Sequence, residues 1–360
     1  MRYYQVKISI LFVIQHNIYQ YTTYLNTIYG VQKIQNANIK EKLMFKTITN
    51  KEEYLHAADV EKLPIHYEDK MEVNLFGNSI LVEKNEWLWH LHLKLTNACN
   101  ASCPFCVEQN SKCHEDAARF VRQVDRMLSE MEREGILYSV SLTGGEPLLF
   151  IGFSLLCDVL RKHDIKFLTM NTNGTYLKDH IDRIEGLFDF IDISRHAIDD
   201  DINRNIFIAD VPTIEELKTI KRWLKRTKIR IQCVMYDIDS ISRFIDFVDA
   251  FRFADDVSFR RLMKLPDKYG VNYESNDSLY MEMLNYAYNH FEFVEQTIQD
   301  YYVYEIWNYN GINITFSYSN MDMLSKVEQN EPDNVCREFI IHPNGVISGS
   351  WDFNNKVICK

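Results

Sequence analysis

Three cysteines are the residues of this chain whose spacing points most clearly to chemistry. Cys99, Cys103 and Cys106 lie in the segment LTNACNASCPFC with C-x3-C-x2-C spacing, and a strand-like run precedes them. Three thiolates are one fewer than a closed four-coordinate metal site needs. They suit a four-iron, four-sulfur (4Fe–4S) cluster whose fourth iron stays open for a ligand from outside the protein.

Zinc is the alternative metal that this spacing leaves open. A zinc site needs a fourth ligand, which Cys113, His114 or His92 could supply. Zinc would leave unexplained the turn Gly144-Gly145-Glu146-Pro147, which follows the second strand-like run. A further turn, Thr172-Asn173-Gly174, follows the third such run.

A second cluster is not expected. Outside the cysteine segment, Cys336 and Cys359 come near the end of the chain without C-x2-C partners. Two thiols cannot hold a further cluster through four cysteines. We therefore expect one 4Fe–4S cluster per chain.

The composition restricts the partners and the compartment. The chain has 360 residues and a net charge of −11, which argues against a broad nucleic-acid surface. Eight cysteines in this length are no dense disulfide framework, so a reducing cytoplasm fits best. The apolar run from Ile8 to Ile14 is too short to span a bilayer, and we expect neither a nucleic-acid partner nor a membrane.

The hydrophobic pattern predicts an α/β fold built on a parallel sheet. Strand patterns alternate with helical patterns between residues 87 and 262, and six such units suggest a partial (β/α)6 barrel of the TIM type. The predicted strands are 87–96, 137–143, 166–172, 188–194, 229–235 and 256–262, and the predicted helices are 114–134, 151–163, 176–187, 213–226 and 238–253.

The sequence pattern divides the chain into three predicted parts. Residues 1–86 are an N-terminal extension, whose first 43 residues carry five basic residues and one acidic residue and are interpreted as disordered or as upstream of the true start. Residues 87–263 form the core barrel, and 264–360 form a substrate-side α+β subdomain that closes the open barrel. In that subdomain we predict a helix at 278–296, strands at 301–307 and 312–318, and a hairpin at Pro343-Asn344-Gly345.

Strand alternation also predicts a polar barrel interior. In 87–96 the odd positions are apolar, whereas His90, His92 and Lys94 share the other face. On the sixth strand Arg260 shares the inner face with Ser258. We interpret the interior as a ligand chamber that opens at the carboxyl ends of the strands. Arg260 would bind an anionic group of the substrate. An internal salt bridge is the alternative for Arg260 and for Arg230.

The three motifs together resemble the radical S-adenosylmethionine (SAM) superfamily. The resemblance covers 87–262 and, weakly, 335–352, and it is nearest to the group that includes the molybdopterin cyclase and the peptide-maturing enzymes, with no subfamily assigned. The chain departs from that group's S-L-D pattern after strand four, where Arg195 and His196 replace Leu-Asp. It also lacks the extra cluster cysteines that the group carries near the C-terminus.

The resemblance implies the cofactors and their ligands. Cys99, Cys103 and Cys106 would hold the cluster, and SAM would chelate the open iron. Glu146 and the backbone at Gly144 and Gly145 would accept hydrogen bonds from the SAM ammonium group. The other residues that the resemblance assigns to SAM are the backbone of Phe105 near the adenine, Asn173, Ser194 near the ribose or the methionine end, and Gln232 and Val234 beside the adenosine. Arg260 and His196 are the candidates for catalytic residues.

The implied activity is reductive cleavage of SAM to a 5′-deoxyadenosyl radical that abstracts hydrogen from a small molecule or a peptide. A flavodoxin- or ferredoxin-type protein would donate the electron. Two alternatives stay open: a radical enzyme that modifies tRNA or nucleotides, and a non-catalytic module that binds zinc or a cluster.

Overall fold

The computed structural model describes residues 45–60, 70–83, 89–106, 113–261, 277–299, 302–319 and 334–360. The prediction for residues 1–43 lies outside the described residues. The described strands are β1 Phe45–Ile48, β2 Lys70–Leu75, β3 Asn78–Glu83, β4 Trp89–Lys94, β5 Tyr138–Thr143, β6 Phe167–Thr172, β7 Phe190–Ser194, β8 Lys228–Cys233, β9 Asp256–Arg260, β10 Glu292–Gln299, β11 Tyr302–Tyr309, β12 Ile312–Ser319, β13 Val335–Cys336, β14 Phe339–Ile341, β15 Ile347–Ser348 and β16 Val357–Cys359. The helices are α1 Ala57–Val60, α2 Ala117–Arg133, α3 Phe153–Leu160, α4 Ile181–Ile184, α5 Asp200–Phe207, α6 Ile214–Trp223, α7 Ile241–Ala250 and α8 Asp277–His290.

The six predicted strands are confirmed as β4 to β9. They lie side by side in chain order, and each neighbouring pair is parallel. Helices connect them, because one face of each strand is apolar and must be covered. Leu91 and Leu93 of β4, for example, are fully buried, as are Phe120 and Val124 of α2 in the same core. The prediction of a partial α/β barrel is thus confirmed.

Side-chain caps fix where several connecting helices begin. Asp116 accepts a hydrogen bond from the Arg119 backbone N–H at the start of α2, and Thr213 and Glu216 form a reciprocal capping box at the start of α6. The helix predicted at 176–187 is broken into a 3-10 turn at Leu177–Asp179 and the short α4.

The C-terminal segment extends the sheet at both edges. Strands β12, β11 and β10 continue it beyond β9, with β1 outermost, and β14, β15 and β16 continue it beyond β4. Among the described strands no pairing joins these two edges.

One C-terminal helix boundary was predicted wrongly. The helix at 278–296 ends at His290, and Glu292–Gln299 is strand β10. The segment EFVEQTIQ pairs along its length with β11, and this long-range pairing outweighs local helix preference. The strands at 301–307 and 312–318 and the hairpin at 343–345 are confirmed.

Around Arg230 and His90 the barrel interior is a packed polar core. Arg230 is fully buried and pairs with Asp192 at 3.0 Å and with Asp256 at 3.1 Å. His90 is hydrogen-bonded to Ser139 at 2.8 Å, and burial lowers its pKa. Neighbouring strands thus satisfy one another's polar groups, and the salt-bridge alternative for Arg230 is confirmed.

No helix among the described residues combines the length and apolar character that crossing a membrane requires.

Candidate functional site

The cysteine loop, residues 95–106, follows β4 at the carboxyl edge of the parallel strands. Cys99 is exposed, whereas Cys103 and Cys106 are half-buried. The Cys106 N–H donates to the Cys103 carbonyl at 3.1 Å, and the Ser102 N–H donates to the carbonyl of Phe207 at 2.8 Å. The second bond joins the loop to the last residue of α5.

Burial raises the pKa of two of the three thiols in the cysteine loop. Burial, together with Cys106 and Cys99, raises the pKa of Cys103 to about 12, and burial also raises the pKa of Cys99. Thiols bind iron as thiolates, so binding of iron would displace their protons. Within the described ranges, no group of three or more His, Cys, Asp or Glu side chains surrounds one point for a single metal ion. A four-iron cluster needs a different arrangement, because each thiolate binds a different iron atom.

Glu115 stabilises the start of the cysteine loop through hydrogen bonds. Its carboxylate accepts hydrogen bonds from the Thr96 hydroxyl at 3.0 Å and from the Asn97 N–H at 2.6 Å. The Asn97 side-chain amide in turn donates to the carbonyl of Cys113 at 2.7 Å. Sequence reasoning missed Glu115; the only signal was its position just before the N-cap of α2.

The glycine turn after β5 contacts the cysteine loop through backbone alone. The Gly145 N–H donates to the Thr96 carbonyl and the Glu146 N–H to the Ala98 carbonyl, both at 2.8 Å. A Cβ on Gly145 would lie 2.2 Å from the Ala98 oxygen, and one on Gly144, at φ +133°, would lie 2.7 Å from the Thr96 oxygen. Both positions therefore require glycine for this close approach.

Glu146 joins the glycine turn to the turn after β6. Its buried carboxyl accepts hydrogen bonds from the Thr172 hydroxyl at 2.6 Å, the Asn173 N–H at 2.9 Å and the Leu148 N–H at 3.2 Å. Burial raises the pKa of Glu146, against the lowering effect of these donors. The Asn173 amide also donates to the Asn100 side chain at 2.8 Å, so the structure brings all three predicted motifs together.

His196 and its neighbours support the other side of the loop. The Val234 N–H donates to His196 Nδ1 at 3.2 Å, and burial lowers the pKa of His196 to about 3. The neutral ring stacks on Phe207 and meets Phe105 edge-on, with ring centroids 5.0 Å apart. In this setting His196 positions the predicted adenine-side residues Phe105 and Val234.

The remaining predicted residues lie on neighbouring strand ends. Ser194 of β7 is in register with Gln232 of β8, which is in register with Ser258 of β9. Arg260, the last residue of β9, is half-buried and makes no hydrogen bond or ion pair with the described residues. Its positive charge helps to lower the pKa of Asp192, although burial raises that pKa overall.

These features define a partial α/β barrel with a three-cysteine loop at the carboxyl edge of its strands. Residues 93–251, a little less than half of the chain, match the family model described as the radical SAM superfamily, so this segment is similar to radical SAM domains. Radical SAM domains are enzyme domains that use a 4Fe–4S cluster and SAM. The subfamily remains unassigned.

Relatives with different names share this domain. A Sulfolobus acidocaldarius protein named "Probable GTP 3',8-cyclase" is 29% identical over 166 residues, which cover 44% of this chain and 52% of that protein. A Methanocaldococcus jannaschii protein named as a glycyl-radical enzyme activating enzyme is 27% identical over 188 residues, covering 48% of this chain and 68% of its own. The chain spans about half the length of the GTP cyclase relatives that it matches.

Solved structures share the fold. The crystal structure of Streptococcus suis SuiB bound to S-adenosylmethionine has a TM-score of 0.53 at 18% identity, covering 75% of this chain and 61% of SuiB. SuiB bound to the precursor peptide SuiA gives a TM-score of 0.54 at 17% identity, with 76% and 61% covered. At these identities the likeness concerns the fold alone.

Proposed function

We propose that this chain is a radical SAM enzyme that acts on a small molecule or a peptide. The observation that carries the proposal is the backbone pairing of the cysteine loop with the glycine turn, at 2.8 Å for both hydrogen bonds, at the carboxyl edge of the barrel. Barrel enzymes have their active sites at this edge. When bound, the cluster supplies the electron that cleaves SAM reductively to methionine and a 5′-deoxyadenosyl radical, which abstracts hydrogen from the substrate.

The chain's own residues would hold and orient the reactants. Cys99, Cys103 and Cys106 would bind three irons as thiolates. Glu115 and Glu146 fix the backbone on both sides of this loop through the hydrogen bonds described above. This fixed geometry would hold the cofactors in place without reorganisation during the reaction.

The proposal extends to the residues around SAM. The backbone at Gly144 and Gly145 would contact the methionine end, because glycine has no side chain of its own to keep a ligand away. Glu146 already accepts three hydrogen bonds within the protein, so its main contribution would be to shape the turn. A flavodoxin- or ferredoxin-type protein would reduce the cluster next to the exposed Cys99.

The test is anaerobic reconstitution with iron and sulfide, followed by reduction with dithionite and SAM. We expect a brown protein that forms 5′-deoxyadenosine. Cys103→Ala should lose iron and 5′-deoxyadenosine formation, whereas Cys157→Ala, a change in a buried thiol of α3, should keep both. Normal 5′-deoxyadenosine formation by Cys103→Ala, or a colourless protein that holds one zinc ion, would contradict the proposal.

A further inference from the structure

A row of polar side chains crosses five neighbouring strands at the carboxyl edge of the parallel strands. The strand registers align Thr47 of β1 with Thr297 of β10, Tyr304 of β11, Ser317 of β12 and Arg260 of β9. We call these five residues the cross-strand row. Because Arg260 is the last residue of β9, the row lies at the carboxyl edge where the cysteine loop follows β4.

The cross-strand row belongs to the inner face of the barrel. Thr315, two positions before Ser317 on β12, donates to the Asp256 carboxylate at 2.9 Å and so joins the interior ion pairs. Alternate residues of a strand share a face, so Ser317 and Arg260 point to the same side. Phe316 and Phe259 lie on the opposite face, where their rings stack.

Several polar groups on this face lack hydrogen-bond partners. Ser317 Oγ and Thr47 Oγ1 are buried without one. Glu295, two positions before Thr297, is only 1% exposed; its Oε1 accepts from the Thr297 hydroxyl at 3.1 Å, but its Oε2 has no partner. Arg260 also makes no hydrogen bond to the described residues. Buried polar groups are nearly always satisfied, so this concentration on one face calls for a ligand.

The register sets the distance between the charged ends. Arg260 on β9 and Thr297 on β10 are separated by three strand spacings of about 4.8 Å each. Glu295 lies two residues before Thr297, so Arg260 and Glu295 are roughly 15 Å apart across the sheet. The neutral hydroxyls between them can donate or accept hydrogen bonds. The site is therefore positive at one end, acidic at the other and polar between.

We infer that the cross-strand row and Glu295 bind an extended zwitterionic chain molecule, with its carboxylate on Arg260 and its ammonium group on Glu295. The guanidinium fork suits a carboxylate, and Glu295 Oε2 and the Thr47 hydroxyl can both accept hydrogen bonds from an ammonium group. The inference names a substrate class for the proposed enzyme and rests on that proposed function.

The test uses tetra-alanine as the probe, because four extended residues span about 14 Å. Calorimetry on the reconstituted protein compares the free peptide with its N-acetylated form and its C-terminal amide. Each cap removes one charge-assisted hydrogen bond, so each should weaken binding about ten- to a hundredfold. Di-alanine is too short to reach both ends and should respond to only one of the two caps.

Two variants assign the ends of the site. Glu295→Gln should bind tetra-alanine and its N-acetylated form equally, while it still distinguishes the amide. Arg260→Gln should show the reverse pattern, and Arg260→Met, which also removes the charge, replaces it if the glutamine variant does not fold. Glu292→Gln, an exposed change on the same strand, is the matched control and should behave as the unchanged protein.

Three results would overturn the inference: no binding of tetra-alanine, equal sensitivity to both caps in every variant, or binding that only Glu292→Gln alters. Failure of the proposed function is separately visible, because 5′-deoxyadenosine formation is measured without this probe. A protein that cleaves SAM but ignores tetra-alanine refutes the zwitterion site alone.

Discussion

Replacing Gly145 by alanine tests whether the glycine turn sets the geometry of the cysteine loop. The added Cβ would lie 2.2 Å from the Ala98 carbonyl oxygen and 2.7 Å from its carbon. Real Cβ atoms essentially never come within 3.0 Å of such an atom, so turn and loop must separate by at least about 0.8 Å. Both clashing groups are backbone, so no side-chain rotation can relieve the contact.

The magnitude follows from what this separation breaks. It stretches the two 2.8 Å hydrogen bonds that the Gly145 and Glu146 N–H groups donate, each worth about 1 kcal/mol. Steric strain in a packed site adds about 1–3 kcal/mol. We therefore expect the free energy of unfolding to fall by about 3–5 kcal/mol, which leaves most domains folded, since their stability is about 5–15 kcal/mol.

The assay compares urea unfolding of the iron-free protein with iron content and SAM binding after reconstitution. Gly145→Ala should remain folded but hold less iron and bind SAM more weakly, because Ala98 precedes Cys99 directly. Gly135→Ala is the control: no atom lies within 4 Å of its added Cβ, and its φ of +69° costs only about 1–2 kcal/mol. Unchanged stability, iron content and SAM binding in Gly145→Ala would refute this reasoning.

Three further predictions concern pH, iron and the N-terminus. Burial raises the pKa of Glu295 from 4.5 to about 7, so the contribution of Glu295 to stability is complete below pH 4.5 and is lost as the pH rises through 7. Glu295→Gln should therefore raise the melting temperature more at pH 8 than at pH 5. An equal shift at both pH values would contradict this. Iron analysis of the reconstituted protein should give about four irons per chain, whereas about eight would indicate a second cluster. A chain that starts at Met44 should fold and bind iron as the full chain does, and aggregation or iron loss would show that residues 1–43 are needed.

The sequence alone determined the elements whose signals are local. Alternating apolar residues identified β4 to β9, because a strand with one face against helices must repeat every second residue. The same pattern put the cysteine loop, the glycine turn and Asn173 directly after consecutive strands. Parallel strands end at one edge, so the convergence of these motifs followed without knowledge of any contact.

Only the tertiary structure decided which groups meet across that edge. Glu146 bonds Thr172 and Asn173, Arg230 pairs with two aspartates, and Glu115 braces the cysteine loop. These contacts depend on strand register and on packing between distant segments, which no local pattern encodes. The same cause turned the end of the predicted helix at 278–296 into β10 and aligned the cross-strand row, because pairing with β11 sets both.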